Sequence, residues 1–263
     1  MRLKAHAKIN FSLRVFEPRS DGFHAIESVM QSISLCDYIT LTPIASGIEV
    51  TCSDPYIPLG RENLVYRAAE LLGGGVKIHI EKHIPMAAGL AGGSADAAAV
   101  LYGLNAECRM PNTELMKIGA QIGSDVPFCL TGGTCLVTGR GEVVEKQEPW
   151  PKSYFVLVCP DVRVATKWAY EEFDRMHLEV SPAIKNDLEP VVVSRHEVIT
   201  EIKDKLVSLG CSEAQMSGSG PSVFGVVRHK YDAENIYDKI KENYSKLFLV
   251  ETVDKGVEII NEG

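Results

Sequence analysis

Three short stretches of this 263-residue chain have the composition to do chemistry on a phosphate. The first is PMAAGLAGGSADAAA, Pro85 to Ala99, where a strand-like run passes through glycines and alanines into an alanine-rich helix. Such a junction exposes backbone N–H groups at a helix N-terminus, where the helix dipole favours an anion. Ser94 adds a hydroxyl there or caps the helix. A side chain introduced at Gly92 is expected to press toward the phosphates. The same composition suits a tight packing joint between helix and strand, and composition alone does not choose between the two. Two other phosphate loops are excluded: no lysine follows the glycines, and no G-x-G-x-x-G opens a βαβ unit.

The second stretch is GSDVPF, in which Asp125 follows a glycine helix stop and precedes a run that reads as a buried strand. Taken alone, such an aspartate is most often a cap or a turn residue. The third is AKIN, where Lys8 interrupts an apolar strand and is costly to bury without a partner. Its ordinary reading is a lysine that carries its charge out along its stem. His24 in DGFH reads locally as a turn histidine, and SGSGP, Ser217 to Pro221, as a turn between two strands. His79 and His83 are four apart on a predicted strand and share a face, but no third ligand stands at a suitable spacing for zinc.

The elements that position these residues follow from periodicity and punctuation. The first sixty residues read as strands, and Asn63 is a fair N-cap for a helix LVYRAAELL stopped by glycines 73 to 75. VKIHIEKHI is a strand of period two leading into the glycine loop, and SADAAAVLYGLN and TELMKIGAQIG are helical. VPFCL and TCLVTG, separated by TGG, suggest a hairpin. The polar, turn-rich segment ending near residue 150 marks a boundary between units 1–150 and 151–263. Beyond it SRHEVITEIKDKLVSLG opens on a capping box, Ser194 to Glu197, and closes on Gly210. Apart from one extra helix, the second unit reads β-α-β-β-α-β, the ferredoxin-like order.

Bulk properties narrow the class. A hydrophobic fraction of 45% and a charged fraction of 24% are those of a globular protein, and 35 acidic against 27 basic residues argue against a nucleic-acid surface. No apolar run is long enough for a membrane span, and seven cysteines without a C-x-x-C pair do not resemble a secreted disulfide framework, so the cytoplasm is the expected compartment.

With these residues in view, the chain resembles the small-molecule kinases that include galactokinase, homoserine kinase and mevalonate kinase. Pro85, Gly89, Leu90, Ala91, Gly92, Gly93, Ser94 and Ala95 fall in order onto that family's loop P-x-x-x-G-L-[GA]-[GS]-[GS]-S-[SA], and AHAKINFSL and SGSGPSVFG stand where two further motifs are expected. AKIN, DGFHAIESVMQ, GLAGGSADAAA, GSDVPF and KNDLE are most similar to the branch whose substrate carries a cytidine diphosphate.

The resemblance implies an α+β fold of two domains. The first is an ATP-binding domain of the two-layer type also found in ribosomal proteins, the second the ferredoxin-like unit, with the site in the cleft between them. It implies ATP held by the loop Pro85, Met86, Ala87, Ala88, Gly89, Leu90, Ala91, Gly92, Gly93 and Ser94 together with Asn63, and Mg2+ arriving with ATP. Asp125 becomes a general base, with Lys8 beside it holding the carboxylate ionised. Asn10, Phe23, His24, Thr166, Tyr170, Gly218, Ser219 and Gly220 become substrate-binding, His24 reading a base edge and Tyr170 stacking on the ring. No nucleic acid, membrane or obligate protein partner is implied. The alternatives at this point are a kinase of the same family with a different small alcohol, and a binding module without catalysis.

Overall fold

Two sheets organise the chain, of which the computed structural model describes residues 1–176 and 183–260. The first sheet is built from β1 (Arg2–Asn10), β2 (Arg14–Pro18), β3 (His24–Pro43), β4 (Ile48–Cys52), β5 (Val76–Glu81), β6 (Thr134–Thr138), β7 (Val143–Lys146) and the last strand, β12 (Val257–Ile260). Its main path is β12-β1-β3-β5-β4, and β2 and β6 also pair with β3. β3 is thus the spine, 20 residues long and antiparallel to four partners. Its pairing with β1 is interrupted: His6 faces Cys36 but Lys8 faces Ser32, so β3 advances four positions while β1 advances two. Such a bulge bends the strand and re-aims its side chains. The end of the chain is laid across it, with Ile33 bridging Thr252 and Val253 N donating to Ser32 O.

Four helices belong to this sheet: α1 (Leu64–Leu71), α2 (Gly92–Cys108), α3 (Asn112–Ile122) and α4 (Val126–Thr131). Asn63 caps α1 as its sequence suggests, its Oδ1 accepting from Val65 N at 3.0 Å. The alanine run of α2 is fully buried from Ala97 to Leu101. Further along, a Cβ on Gly103 would stand only 2.5 Å from a methyl of Leu41. Small side chains let this helix press against the sheet, so the packing-joint reading is correct for the helix.

The second sheet has β8 (Tyr154–Val158), β9 (Glu213–Met216), β10 (Val223–Val227) and β11 (Leu247–Glu251) in the order β11-β8-β10-β9, all antiparallel. With α7 (Val198–Ser208) and α8 (Lys230–Ile240) as crossovers, this is the expected ferredoxin-like unit. α5 (Thr166–Met176) and α6 (Glu189–Arg195) precede α7. β8 is buried on both faces with period two: Phe155 and Leu157 join the core under the first sheet, while Val156 and Val158 join the core formed with the second sheet's own helices. Phe11 links the halves, its ring 4.5 Å from Trp150 and 5.9 Å from Phe155, centroid to centroid. Among the described residues no helix is long and apolar enough to cross a membrane.

Two expectations are corrected. VPFCL is not a strand but the short helix α4, whose Pro127 sits in the first turn, where a missing N–H costs nothing. Ser194 does not open a capping box: it lies inside α6, its hydroxyl bonded to Val191 O, and α7 starts separately after His196. The segment 151–263 also carries a strand outside the ferredoxin-like unit, since β12 returns to pair with β1 of the first sheet.

That return path is tight. A Cβ on Gly256 would stand 1.8 Å from Cys129 O and 2.7 Å from Cys129 C, both backbone atoms of α4. Gly256→Ala is expected to destabilise the protein by at least about 2 kcal/mol, since backbone must move to admit it. Urea denaturation measures this, and an unchanged midpoint would show that the β12 connection has slack.

Candidate active site

A cleft of about 1080 Å3 opens between the two sheets, just above the roughly 300–1,000 Å3 usual for small-molecule sites. The fold brings every residue expected to act in catalysis or to bind ATP or substrate onto its walls, from Lys8 and Asn10 to Thr166, Tyr170, Gly218, Ser219 and Gly220.

The glycine loop runs from the end of β5 into α2. α2 begins without a side-chain cap, behind Ala91 in the left-handed region at φ 58°. Ala87 is left-handed too, at φ 51°. Alanine in this conformation costs roughly 1–2 kcal/mol, a strain a loop holds only where its course is over-determined. The determinant is the second glycine loop. A Cβ on Gly89 would lie 2.4 Å from Ser217 O and 3.0 Å from Gly220 O. Ser222 N donates to Ala88 O and the Ser217 hydroxyl to Gly89 O. Gly92 corrects its expectation: a side chain there would meet Ile84 and the Lys82 ammonium at 3.0–3.1 Å, pressing under the loop.

Lys8 and Asn10 point from β1 into this junction, and both are buried. The Lys8 ammonium donates to Asn10 Oδ1 at 2.7 Å and Gly89 O at 2.8 Å. Asn10 Nδ2 donates to Ser28 Oγ, which fixes the orientation of the amide. Burial pushes the Lys8 pKa down, and the carboxylate of Asp125 is the largest influence opposing it. The two act on each other through space, because the amide and the carbonyl are the ammonium's hydrogen-bond partners. Asp125 itself stands before α4 and makes no capping bond, so its carboxylate is not consumed by the local turn. Asn63 differs: Oδ1 caps α1 and Nδ2 donates to Pro58 O, so both ends of its amide serve the fold.

Another part of the wall is aromatic. His24 stacks on Tyr170 with centroids 5.4 Å apart and planes at 27°. Its Nδ1 donates to Phe16 O at 2.7 Å, and its Nε2 lies 3.2 Å from a carboxylate oxygen of Asp174. Burial pushes the Tyr170 phenol up, and Asp125 adds to the effect. Phe23 is half exposed, with the Arg140 guanidinium 5.2 Å from its ring centroid. Thr166 opens α5 and its hydroxyl meets that of Ser219 at 2.9 Å, tying the helix that carries Tyr170 to the second loop.

The sequence reading missed a buried ionic cluster beneath the glycine loop. Lys82 reaches Asp37 at 2.5 Å and Asp96 at 2.9 Å, and Asp37 also accepts from His83 N and Ile84 N at the loop's entrance. Burial holds the Asp96 carboxyl well above the usual range; Lys82 opposes this and Asp37 reinforces it. The charge of Lys82 survives burial because the two aspartates more than offset it. An acid inside the apolar run SISLCDYITL was the available signal.

Comparison with known proteins gives a consistent set of relatives. Residues 63–133 match the model described as "GHMP kinases N terminal domain", and residues 158–246 that described as "GHMP kinases C terminal". A protein of Clostridium botulinum named 4-diphosphocytidyl-2-C-methyl-D-erythritol kinase is 39% identical, over 96% of this chain and 100% of its own. One of the same name from Gloeobacter violaceus is 40% identical, over 98% and 96%. A crystal structure of 4-(cytidine 5'-diphospho)-2C-methyl-D-erythritol kinase superposes with a TM-score of 0.81 at 31% identity, over 96% of this chain and 99% of that one. A homoserine kinase from Cytophaga hutchinsonii shares the fold, with a TM-score of 0.77 at 20% identity over 99% and 97%.

Asp37→Ala leaves Lys82 half-paired and two N–H groups without an acceptor. The expected loss is about 3–5 kcal/mol of stability, the range for breaking a buried pair from one side. Denaturant titration reads it, and a loss below about 1 kcal/mol would mean that Asp96 and water replace Asp37.

Proposed function

The chain belongs to the GHMP kinase family, and from that premise we propose that it transfers the γ-phosphoryl group of ATP to the 2-hydroxyl of 4-diphosphocytidyl-2-C-methyl-D-erythritol, a step toward isoprenoid precursors. The observation that carries the reading is the convergence of two glycine loops, Lys8 and Asp125 on one cleft that also holds the His24–Tyr170 wall.

In this reading Asp125 accepts the proton of the 2-hydroxyl as its oxygen attacks the γ-phosphorus. The bond from that phosphorus to the bridging oxygen breaks, and ADP leaves. Two of the three N–H bonds of Lys8 are committed to Asn10 and Gly89, and the third is available to a developing oxyanion. The uncapped start of α2 receives ATP phosphates on its first N–H groups. Magnesium fits as an ion carried mainly by phosphate and water. Among the described residues no three metal-binding side chains cluster, and the cleft wall carries side-chain oxygens, those of Ser94 and Asp125 among them, that could complete its shell. When bound it supplies neutralisation of the transferring oxygens.

The base site favours cytosine on chemical grounds. With Nδ1 of His24 donating to Phe16 O and Nε2 set against Asp174, the His24–Asp174 pair presents the carboxylate's oxygens as acceptors. The exocyclic amine of cytosine brings two hydrogens to such a pair, whereas uracil brings a carbonyl. Tyr170 offers a ring for stacking and Phe23 a second aromatic surface.

A coupled ADP-release assay with this substrate tests the reading. Asp125→Asn is expected to lower turnover about 100- to 10,000-fold with nucleotide affinity kept, and near-normal turnover would remove Asp125 as the base. His24→Ala is expected to bring kcat/KM for the cytidine substrate and its uridine analogue closer together. An unchanged ratio between the two would assign base recognition elsewhere.

A further inference from the structure

The segment KNDLE contributes nothing to the cleft wall, yet two of its polar side chains are deeply buried. Asn186 and Asp187 are each 2% exposed. The single amino group of Asn186 donates to two carbonyls of the second glycine loop, Met216 O at 2.9 Å and Gly218 O at 2.8 Å, while its Oδ1 accepts from Leu188 N. Asp187 takes Val15 N and the Arg14 guanidinium, which anchors the segment to β2 of the first sheet. Glu189 accepts from Met216 N and pairs with Lys203 of α7. The loop is therefore held from behind by one short segment that is itself fixed to both halves of the molecule.

The consequence lies in the peptide between Gly218 and Ser219. In a trans peptide the C=O and the following N–H point in opposite directions. Turning Gly218 O toward buried Asn186 aims the Ser219 N–H the other way, and Ser219 lines the cleft. Gly218 and Gly220 supply the left-handed conformations this course demands, at φ 57° and 83°. The loop's own bond, Gly220 N to Ser217 O, leaves the Ser219 N–H unused, and no partner for it is found among the described residues.

We propose that Asn186 is a positioning residue: by holding the Gly218 carbonyl out of the cleft, it presents the Ser219 N–H to an oxygen of a bound phosphate or diphosphate. The inference rests on the kinase reading above and extends it to a residue that touches neither substrate nor nucleotide. Asn186→Asp keeps the shape of the side chain but removes both N–H bonds and sets a carboxylate against two carbonyls.

The test combines kinetics with amide NMR. In Asn186→Asp and Asn186→Ala, kcat/KM is expected to fall roughly ten- to hundredfold, the worth of one hydrogen bond to a charged group, with the far-UV circular dichroism of the wild type. In wild-type protein the Ser219 amide proton is expected to shift downfield on adding AMP-PNP or cytidine diphosphate, and the ligand that moves it identifies whose phosphate it meets. The shift should vanish in the variants. A Ser219 amide unmoved by both ligands overturns the proposal even if a variant fails to fold, and so does wild-type kcat/KM in Asn186→Asp. If wild-type protein released no ADP with the cytidylyl substrate, the substrate reading would fail, while the AMP-PNP arm would still decide the role of Asn186.

Discussion

The carbonyl oxygen of Gly89 joins the two halves of the molecule at the site. It accepts the Lys8 ammonium from β1 at 2.8 Å and the Ser217 hydroxyl from the second glycine loop at 3.1 Å. The approach is backbone on backbone, and a methyl group at Gly89 would overlap Ser217 O. Much else follows from this contact. An ammonium buried as deeply as that of Lys8 needs acceptors, and an amide and a carbonyl supply them without cancelling its charge. A carboxylate in direct contact would have satisfied it equally well, but the pair would have been neutral. Solvated by neutral oxygens, Lys8 keeps a net charge for whatever enters the cleft, while Asp125 stays near enough to favour the charged form.

This arrangement explains how a chain with 35 acidic and 27 basic residues can suit ligands that are polyanions. The field of distant surface charges is screened over a Debye length of about 8–10 Å, whereas one hydrogen bond to a charged group contributes about 1.5–3 kcal/mol. In the proposed reading, a few N–H groups at the start of α2, the Ser219 amide and one desolvated lysine outweigh a diffuse negative surface. The second buried lysine works differently. Lys82 is held between Asp37 and Asp96. Asp37 also grips the backbone of His83 and Ile84, so this cluster fixes the entrance of the glycine loop and brings the cleft no net positive charge.

The parts of this site that were legible in the sequence are those whose composition carries the meaning locally. Glycine and alanine in bulk between a strand and a helix, Asn63 before an amphipathic run and the two SG repeats before Pro221 can each be read without knowing what lies opposite. Residues whose role is set by a distant partner were not legible. Asp37 lies 45 positions from Lys82, and they meet only because β3 and β5 pair in register. Asn186 is 30 and 32 positions from the carbonyls it holds. The six residues of α4 form an apolar run too short for periodicity to distinguish helix from strand. The return of β12 left no local signal, because its pairing with β1 depends on the room Gly256 makes against Cys129.

A cleft between two units invites the idea of a hinge, and the packing argues against a free one. The inner face of the second sheet does not have a core of its own: Phe155, Leu157, Phe224 and Val250 lie in the same cluster as Leu3, Ile9 and the residues of α2. Separating the halves would expose those side chains at a cost of about 1.5–3 kcal/mol each. The chain also crosses twice, once after β7 and again from β11 to β12. At the second crossing Gln31 Nε2 donates to Val253 O, and Gln31 Oε1 accepts from Thr134, so the strand carrying the bulge is tied to the returning tail. A joint fixed by an apolar face, two glycine loops and a returning strand has few soft coordinates. Adjustment to ligand then falls to the exposed parts of the wall, the half-exposed Phe23 and the N-terminal turn of α5. The two glycine loops are held in place without a ligand, and for the phosphates proposed to meet them such preorganisation lets a few hydrogen bonds act at full strength.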